Sequence, residues 1–330
     1  MNILLTGGTG YIGSHTAVVL TEAGHRVVLY DNLCNSQASV IESLRVITNQ
    51  QLPFIEGNVC DTALLTSTLK THEIDAVVHF AGLKAVGESV QSPIDYYDNN
   101  VGGSISLLKA MRTCNIKTLA FSSSATVYGA PLYLPLDEKH RTEATNPYGR
   151  SKLYIEAMLA DVVASDSTWH VACLRYFNPV GAHTSGLIGE NPKGVPNNLM
   201  PYIARVASGQ LPYLHVYGDD YDTPDGTGIR DYVHVMDLAQ GHVAALDFLK
   251  QQLGFHTFNL GTGKGSSVLE IVRAFELASG NSIPIQITTR RAGDVAACYA
   301  KVDKATVNLG WKAALTLDDM CTSTWKFQKN

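Results

Sequence analysis

Over the first half of the chain, short apolar runs alternate with longer segments whose apolar positions recur every three to four residues. A short apolar run bounded by turn residues reads as a buried strand, and the longer period reads as an amphipathic helix. Strands are predicted at 2–6, 26–30, 53–56, 75–81, 118–123 and 170–176, with helices at 12–23, 37–48, 62–70, 92–114 and 147–165. Such alternation predicts a parallel sheet covered on both faces, a Rossmann-type doubly wound α/β fold. Past about residue 177 the rhythm breaks. Gly and Pro become dense from Pro179 to Pro201, and Gly218 to Gly228 is polar and turn-rich. Helices at 198–208, 235–250 and 267–279 and strands near 213–217 and 256–260 remain readable. The chain divides into a first domain at 1–176 and a smaller mixed α/β domain at 177–330 that closes over it, with parts near 231–262 placed to pack back on the first. No internal repeat is visible.

Ligands of doubly wound sheets bind beyond the carboxyl ends of the strands. The loops at those ends are Thr6 to Gly13, Asp31 to Ser36, Asn58-Val59, Phe80 to Lys84, Ser122 to Tyr128 and Phe177 to Gly181. In the first, Gly7, Gly10 and Gly13 form a G-x-x-G-x-x-G turn from strand to helix. Glycines there let the backbone turn tightly and bring a pyrophosphate to the helix N-terminus. Asp31 ends the next strand, where an acid is expected on the adenosine ribose hydroxyls. Its charge repels a 2′-phosphate, which favours NAD over NADP.

Composition narrows the field. The 330 residues are 45% hydrophobic with a net charge of −5 and mixed signs, so no basic stripe points to nucleic acid. No apolar run reaches the roughly 18 residues of a membrane span, and the first residues read as a strand rather than a leader, which predicts a cytoplasmic protein. Six cysteines are scattered without a C-x-x-C pair, as expected of reduced thiols. Eleven histidines show no H-x-x-x-H spacing, so no metal site is predicted.

The chemistry is carried by Tyr148 and Lys152. Asn146 is a good N-cap and Pro147 suits the first helical turn, so the two side chains share one helix face. An ammonium beside a phenol favours the phenolate, which predicts a lowered pKa for Tyr148 and a role as general acid or base. Ser122, Ser123 and Ser124 end the preceding strand, where a hydroxyl can bridge substrate and phenol. Beside a nicotinamide, such a set fits hydride transfer at a carbinol carbon.

These features resemble the extended short-chain dehydrogenase/reductase superfamily and, within it, the UDP-glucose (UDP-galactose) 4-epimerase family, over essentially the whole chain. The resemblance is carried by Thr6-Gly-Gly-Thr-Gly-Tyr-Ile-Gly-Ser-His15, Asp31-Asn-Leu-Cys-Asn-Ser36, His79-Phe-Ala-Gly-Leu-Lys84, Ser122-Ser-Ser-Ala-Thr-Val-Tyr-Gly129 and Tyr148-Gly-Arg-Ser-Lys152. In the second half it rests on Leu174-Arg-Tyr-Phe-Asn-Pro179, Pro196-Asn-Asn-Leu-Met-Pro201, Gly226-Thr-Gly-Ile-Arg-Asp-Tyr-Val-His234 and Arg290-Arg-Ala-Gly-Asp294.

The resemblance implies a tightly bound NAD against Gly7, Gly10, Tyr11, Ile12, Gly13, Asp31, Asn32, Asn35, Ser36, Asn58, Val59, Phe80, Ala81, Gly82, Lys84, Asn99, Ser122, Tyr148, Lys152 and Phe177. It implies Tyr148 as the base, held as phenolate by Lys152 and the nicotinamide cation, with Ser124 relaying or orienting the proton. It also implies a UDP-hexose substrate held by Ser124, Asn178, Asn198, Leu199, Arg230, Arg291, Asp294 and Cys298, with His215 and Tyr217 flanking the uracil. Arg230 and Arg291 would clamp the diphosphate, and helices like 92–114 and 147–165 of two subunits would pair in a homodimer. Three positions depart from the family pattern. Asn58 replaces an Asp near the adenine, Cys298 replaces a Tyr that narrows the sugar pocket in some relatives, and Lys301 replaces an acid. The small Cys298 implies activity on UDP-GlcNAc/UDP-GalNAc as well. Alternatives are a 4,6-dehydratase, a UDP-glucuronate decarboxylase, or a silent NAD-sensing regulator. The first would carry an Asp-Glu pair where Ala125 and Thr126 stand, the second its own carboxylate-handling residues. The third would be expected to lose Tyr148 or Lys152.

Overall fold

The computed structural model describes residues 1–291 and 293–330. The first half runs β1 (Asn2–Thr6), α1 (Tyr11–Glu22), β2 (Arg26–Asp31), α2 (Ser39–Thr48), β3 (Phe54–Glu56), α3 (Thr62–Thr71), β4 (Ala76–His79), α4 (Val86–Gln91), α5 (Pro93–Tyr96), α6 (Gly103–Thr113), β5 (Thr118–Ser124), α7 (Pro147–Ser165) and β6 (His170–Tyr176). The second half continues with β7 (Asn178–Val180), α8 (Leu199–Ala207), β8 (Leu214–Tyr217), β9 (Ile229–His234), α9 (Val235–Leu249), β10 (Gly254–Leu260), β11 (Gly265–Ser267), α10 (Val268–Ser279), β12 (Ile285–Thr288), β13 (Ala297–Cys298), α11 (Asp303–Leu309) and α12 (Leu317–Gln328).

Seven parallel strands form the main sheet in the order β10-β6-β5-β4-β1-β2-β3. Ile3, Leu4 and Leu5 are all fully buried, which explains an unbroken apolar run in place of alternation: helices cover both faces. Leu4, Val77 and Leu119 pack under α3, α6 and α7, while Ile3, Leu5 and Val78 pack under α1 and α2. Chain position and sheet membership part company after residue 177. β10 pairs with β6 along its full length, from Gly254 against His170 to Leu260 against Tyr176. α9 packs on α1, so 235–260 completes the first layer system. The remaining strands form two small sheets: β11-β9-β13 with β7 on β9, and β12 with β8. Their core gathers Ile203, Val216, Ile271, Phe275 and Met320 from α8, β8, α10 and α12.

The segment 92–114 is not one regular helix. α5 passes into a π-helical turn at Tyr97–Gly102 before α6 begins. A Cβ at Gly103 would lie 2.5 Å from Val59 Cγ1, so glycine there lets the helix lie close to the loop after β3. The widened turn sends Asn99 to the ligand cleft while Asn100 points inward. Such π-turns recur at functional sites.

Candidate active site

A cleft of about 640 Å³ runs along the carboxyl ends of the sheet strands, between the main sheet and the β7 to α8 connection. Its floor at one end is the turn from β1 into α1. Gly7 has φ of +72°, and a Cβ there would lie 2.7 Å from Ala81 N. A Cβ at Gly13 would collide with Gly7 O, so only glycine leaves the helix N-terminus open to a ligand. Asp31 holds this cradle together: its carboxylate accepts from Thr9 N at 3.1 Å, Leu33 N at 2.9 Å and Ser36 Oγ at 3.4 Å. It still faces the cleft.

At the other end stands α7. Asn146 caps it by accepting from Gly149 N at 2.8 Å, and Pro147 takes the first turn. Lys152 is buried and donates to Ser122 O at 2.8 Å, with its ammonium 4.9 Å from the Phe121 ring centre and 6.0 Å from that of Tyr148. Burial lowers it to about 8. Ser124 Oγ accepts from Thr126 N at 3.2 Å and Thr126 Oγ1 at 2.9 Å. Its own proton is therefore free for Tyr148, which faces the same cleft.

The expectation of a lowered phenol pKa does not hold for the protein by itself. Burial pushes Tyr148 up from its ordinary value, and the Ser124 hydrogen bond and the charge of Lys84 oppose this. Lys152 donates to the Ser122 carbonyl at the end of β5 while its ammonium stays 6.0 Å from the Tyr148 ring centre.

Of the sequence-predicted cofactor residues, Gly10, Tyr11, Ile12, Asn32, Asn35, Ser36, Val59, Phe80, Gly82, Lys84 and Phe177 face the cleft with those already described. Asn58 does not: its Oδ1 accepts from Cys60 N at 2.9 Å, a local turn that draws the side chain back to its own backbone. On the substrate side, Asn178, Asn198, Leu199, Arg230, Asp294 and Cys298 face the cleft, whereas His215, Tyr217 and Arg291 lie outside its walls. These three still form a group. Arg291 sits 4.6 Å from the Tyr217 ring centre, and Tyr217 is 6.1 Å from the His215 ring.

Arg230 and Arg291 converge on Asp294, at 3.9 Å and 3.0 Å. Arg230 also donates to Val295 O at 2.9 Å. Cys298 pairs with Arg230 across β13 and β9, and burial pushes its thiol up to about 11, so it is a neutral wall group. Sequence reasoning missed Glu190, which accepts from Lys84 Nζ at 3.0 Å and Asn198 Nδ2 at 2.6 Å. It lies in a Gly- and Pro-rich loop, where no periodicity marks a position as inward.

Residues 4–324 match the family model described as GDP-mannose 4,6 dehydratase. The chain is 56% identical to the UDP-glucose 4-epimerase of Mus musculus, over 99% of this chain and 96% of that protein. Its fold is similar to UDP-glucose 4-epimerase from Stenotrophomonas maltophila with NAD and formylated UDP-arabinopyranose, with TM-score 0.98, 53% identity, and coverage of 100% of this chain and 98% of that one. The Bifidobacterium longum UDP-glucose 4-epimerase with NAD+ and UDP gives TM-score 0.97, 53% identity and the same coverage. The dehydratase description names a broader relationship, since Ala125 and Thr126 occupy the places of a dehydratase Asp-Glu pair. The glycine cradle, the Ser124, Tyr148 and Lys152 cluster and the full-length identity agree: the chain belongs to the UDP-glucose 4-epimerase family of the extended short-chain dehydrogenase/reductases.

Proposed function

We propose that this protein interconverts UDP-glucose and UDP-galactose through a 4-keto sugar, with NAD as a tightly held cofactor. The observation that carries this reading is one cleft lined both by a helix N-terminus opened by Gly7 and Gly13 and by Ser124, Tyr148 and Lys152. Gly13, where a Cβ would fill the cradle, and the Asp31 carboxylate fit NAD. NAD supplies the acceptor and later the donor of the C4 hydride. Tyr148 takes the proton of the sugar 4-hydroxyl, Ser124 orients that proton, and Lys152 fixes the end of β5 beneath them. Arg230 and Arg291 hold the diphosphate, displacing their shared contact with Asp294. Arginine's planar fork suits that anion. A firm grip on the nucleotide and a loose one on the sugar lets the keto intermediate turn over and receive hydride on its other face.

The small Cys298 leaves room for an acetamido group, so UDP-GlcNAc and UDP-GalNAc are included. Val90, Ile94, Ile105 and Tyr154 are exposed apolar residues on α4 to α7, which supports a homodimer through those helices. Among the described residues no helix is long and apolar enough to cross a membrane. The free cysteines suit a reducing, cytoplasmic setting. The test is incubation of purified protein with UDP-galactose and no electron acceptor. Formation of UDP-glucose without net NADH supports the reading. A stable keto or dehydrated sugar, or no turnover, overturns it.

A further inference from the structure

The segment from Glu190 to Lys193, on the connection between β7 and α8, is tied to the main sheet at both ends. At one end Glu190 Oε1 accepts from Lys84 Nζ at 3.0 Å, just after β4. A carboxylate with only 8% of its side chain exposed needs such a partner. At the other end Lys193 Nζ donates to Cys34 O at 2.6 Å and Leu33 O at 3.5 Å, just after β2. β1 pairs with β4 on one side and β2 on the other, so its glycine turn lies between the two ties. Three residue steps reach about 10 Å and two strand spacings amount to about 9.5 Å, so the segment crosses directly over the cradle. Asn191 and Pro192 accordingly line the cleft together with Gly7, Gly10 and Gly13. We propose that residues 190–193 form a clasp over the cofactor pyrophosphate, and that Lys193 is the positioning residue that holds it shut and sets the rate of NAD exchange.

The flanks of the clasp are fixed. Ile188 is buried in the core beside α1, and α8 buries Met200 and Ile203. Arg205 on α8 donates to Pro192 O at 2.8 Å and also to Gly194 O. Between these anchors Asn191, Lys193, Gly194 and Val195 are exposed. Gly194 has φ of +72° with open space around a Cβ, which makes it a joint. The receiving side is shaped for one ammonium. Leu33 has φ of +56°, a conformation a bulky side chain rarely adopts, and Asp31 accepts from its N–H at 2.9 Å. The Tyr11 hydroxyl donates to Gly181 O at 2.7 Å and ties the cradle to the start of the same connection. The assignment rests on the epimerase reading, in which reduced cofactor and keto sugar coexist until hydride returns. Loss of the cofactor at that point strands the sugar. A clasp on the pyrophosphate retains it while leaving the sugar free to turn.

Lys193→Met removes the donor but keeps an unbranched side chain, and Lys193→Arg restores the donor. Release of NAD from the holoprotein is followed with an external dehydrogenase that reduces what escapes. Entry is followed by tryptophan fluorescence as NAD is added to stripped protein. A clasp made from the chain's own groups hinders both directions. Lys193→Met therefore speeds release and entry alike, each by about 3- to 10-fold, and Lys193→Arg stays within about 2-fold of wild type. A direct grip of the Lys193 charge on the phosphates would instead speed release and slow entry. That pattern, rates unchanged in Lys193→Met, or Lys193→Arg behaving like Lys193→Met, overturns the proposal. Melting curves of the stripped variants establish that they are folded. If wild type binds NAD but fails to interconvert the sugars, the epimerase reading fails, and the two rates still decide the clasp.

Discussion

Arg175 on β6 and Glu156 on α7 form a buried ion pair behind the catalytic cluster, with Nη2 to Oε2 at 2.6 Å and Nε to Oε1 at 3.0 Å. Their side chains are 7% and 5% exposed. Ser123 donates to Glu156 at 2.5 Å, and Arg175 donates to the Tyr128 hydroxyl at 3.1 Å, which donates to Asn259 at 2.6 Å. The network therefore links α7, β5, β6 and β10 one helical turn beyond Lys152. Arg175→Met leaves the Glu156 carboxylate buried with Ser123 as its remaining donor. Breaking such a pair from one side costs about 3–5 kcal/mol. At about 2 °C per kcal/mol for a chain of this size, Tm falls by roughly 6–10 °C.

Replacing both partners, in Glu156→Leu with Arg175→Met, removes the buried charge and recovers most of that loss. Because Ser124 and Lys152 are seated on the linked elements, kcat also falls, by up to on the order of 100-fold for a 1 Å displacement. Urea and thermal melts of the single and double variants, with kcat on UDP-galactose, decide the matter. A single variant losing less than about 1 kcal/mol, or a double variant no better than the sum of its singles, refutes the reasoning.

Tyr148→Phe keeps the fold and the bound NAD but lowers kcat by about 10²–10⁴-fold, and near-wild-type turnover removes the phenol from the proton transfer. Asp31→Ala weakens NAD and narrows its preference over NADP, read by titration of stripped protein; an unchanged preference separates Asp31 from the ribose. Cys298→Tyr selectively lowers kcat/KM for UDP-GlcNAc by about 10- to 200-fold, and an equal loss on UDP-glucose ends the idea of a gate. His15 and His79 are held neutral by burial at about 3, and His234 and His242 at about 4. All four bind protons more weakly folded than unfolded, so their stability contribution is complete above pH 6.5 and is lost as pH falls toward 4 for His234 and His242 and toward 3 for His15 and His79. Each then removes up to about 1.4 kcal/mol per pH unit, and urea stability that stays flat down this window refutes it.

Local signals were legible in the sequence wherever one short segment carries its own reason. The Gly7, Gly10 and Gly13 turn, the Asn146-Pro147 start of α7 and the apolar runs of β1, β2 and β4 to β6 needed no partner to be recognised. Steric and capping preferences act within a few residues, so a linear string records them. The second half resisted because β7, β11 and β13 exist through pairing with β9, and strands of two or three residues have no period to read. β10 joined the main sheet because β6 offered it a free parallel edge, a choice made between segments far apart in sequence.

The same limit applied within the site. Lys152 four residues after Tyr148 was visible at once, yet its ammonium also donates to the Ser122 carbonyl, and burial raises the phenol that spacing alone marked as lowered. Asn58 was placed at the cofactor by position, but its amide closes a local turn. Glu190 had no pattern at all, and its meaning comes from Lys84 and Asn198 meeting it from two sides. Residue type and spacing determined which chemistry this chain can perform. Packing decided which charges face each other, because Coulomb and hydrogen-bond energies depend on distances through space that separation along the chain does not record.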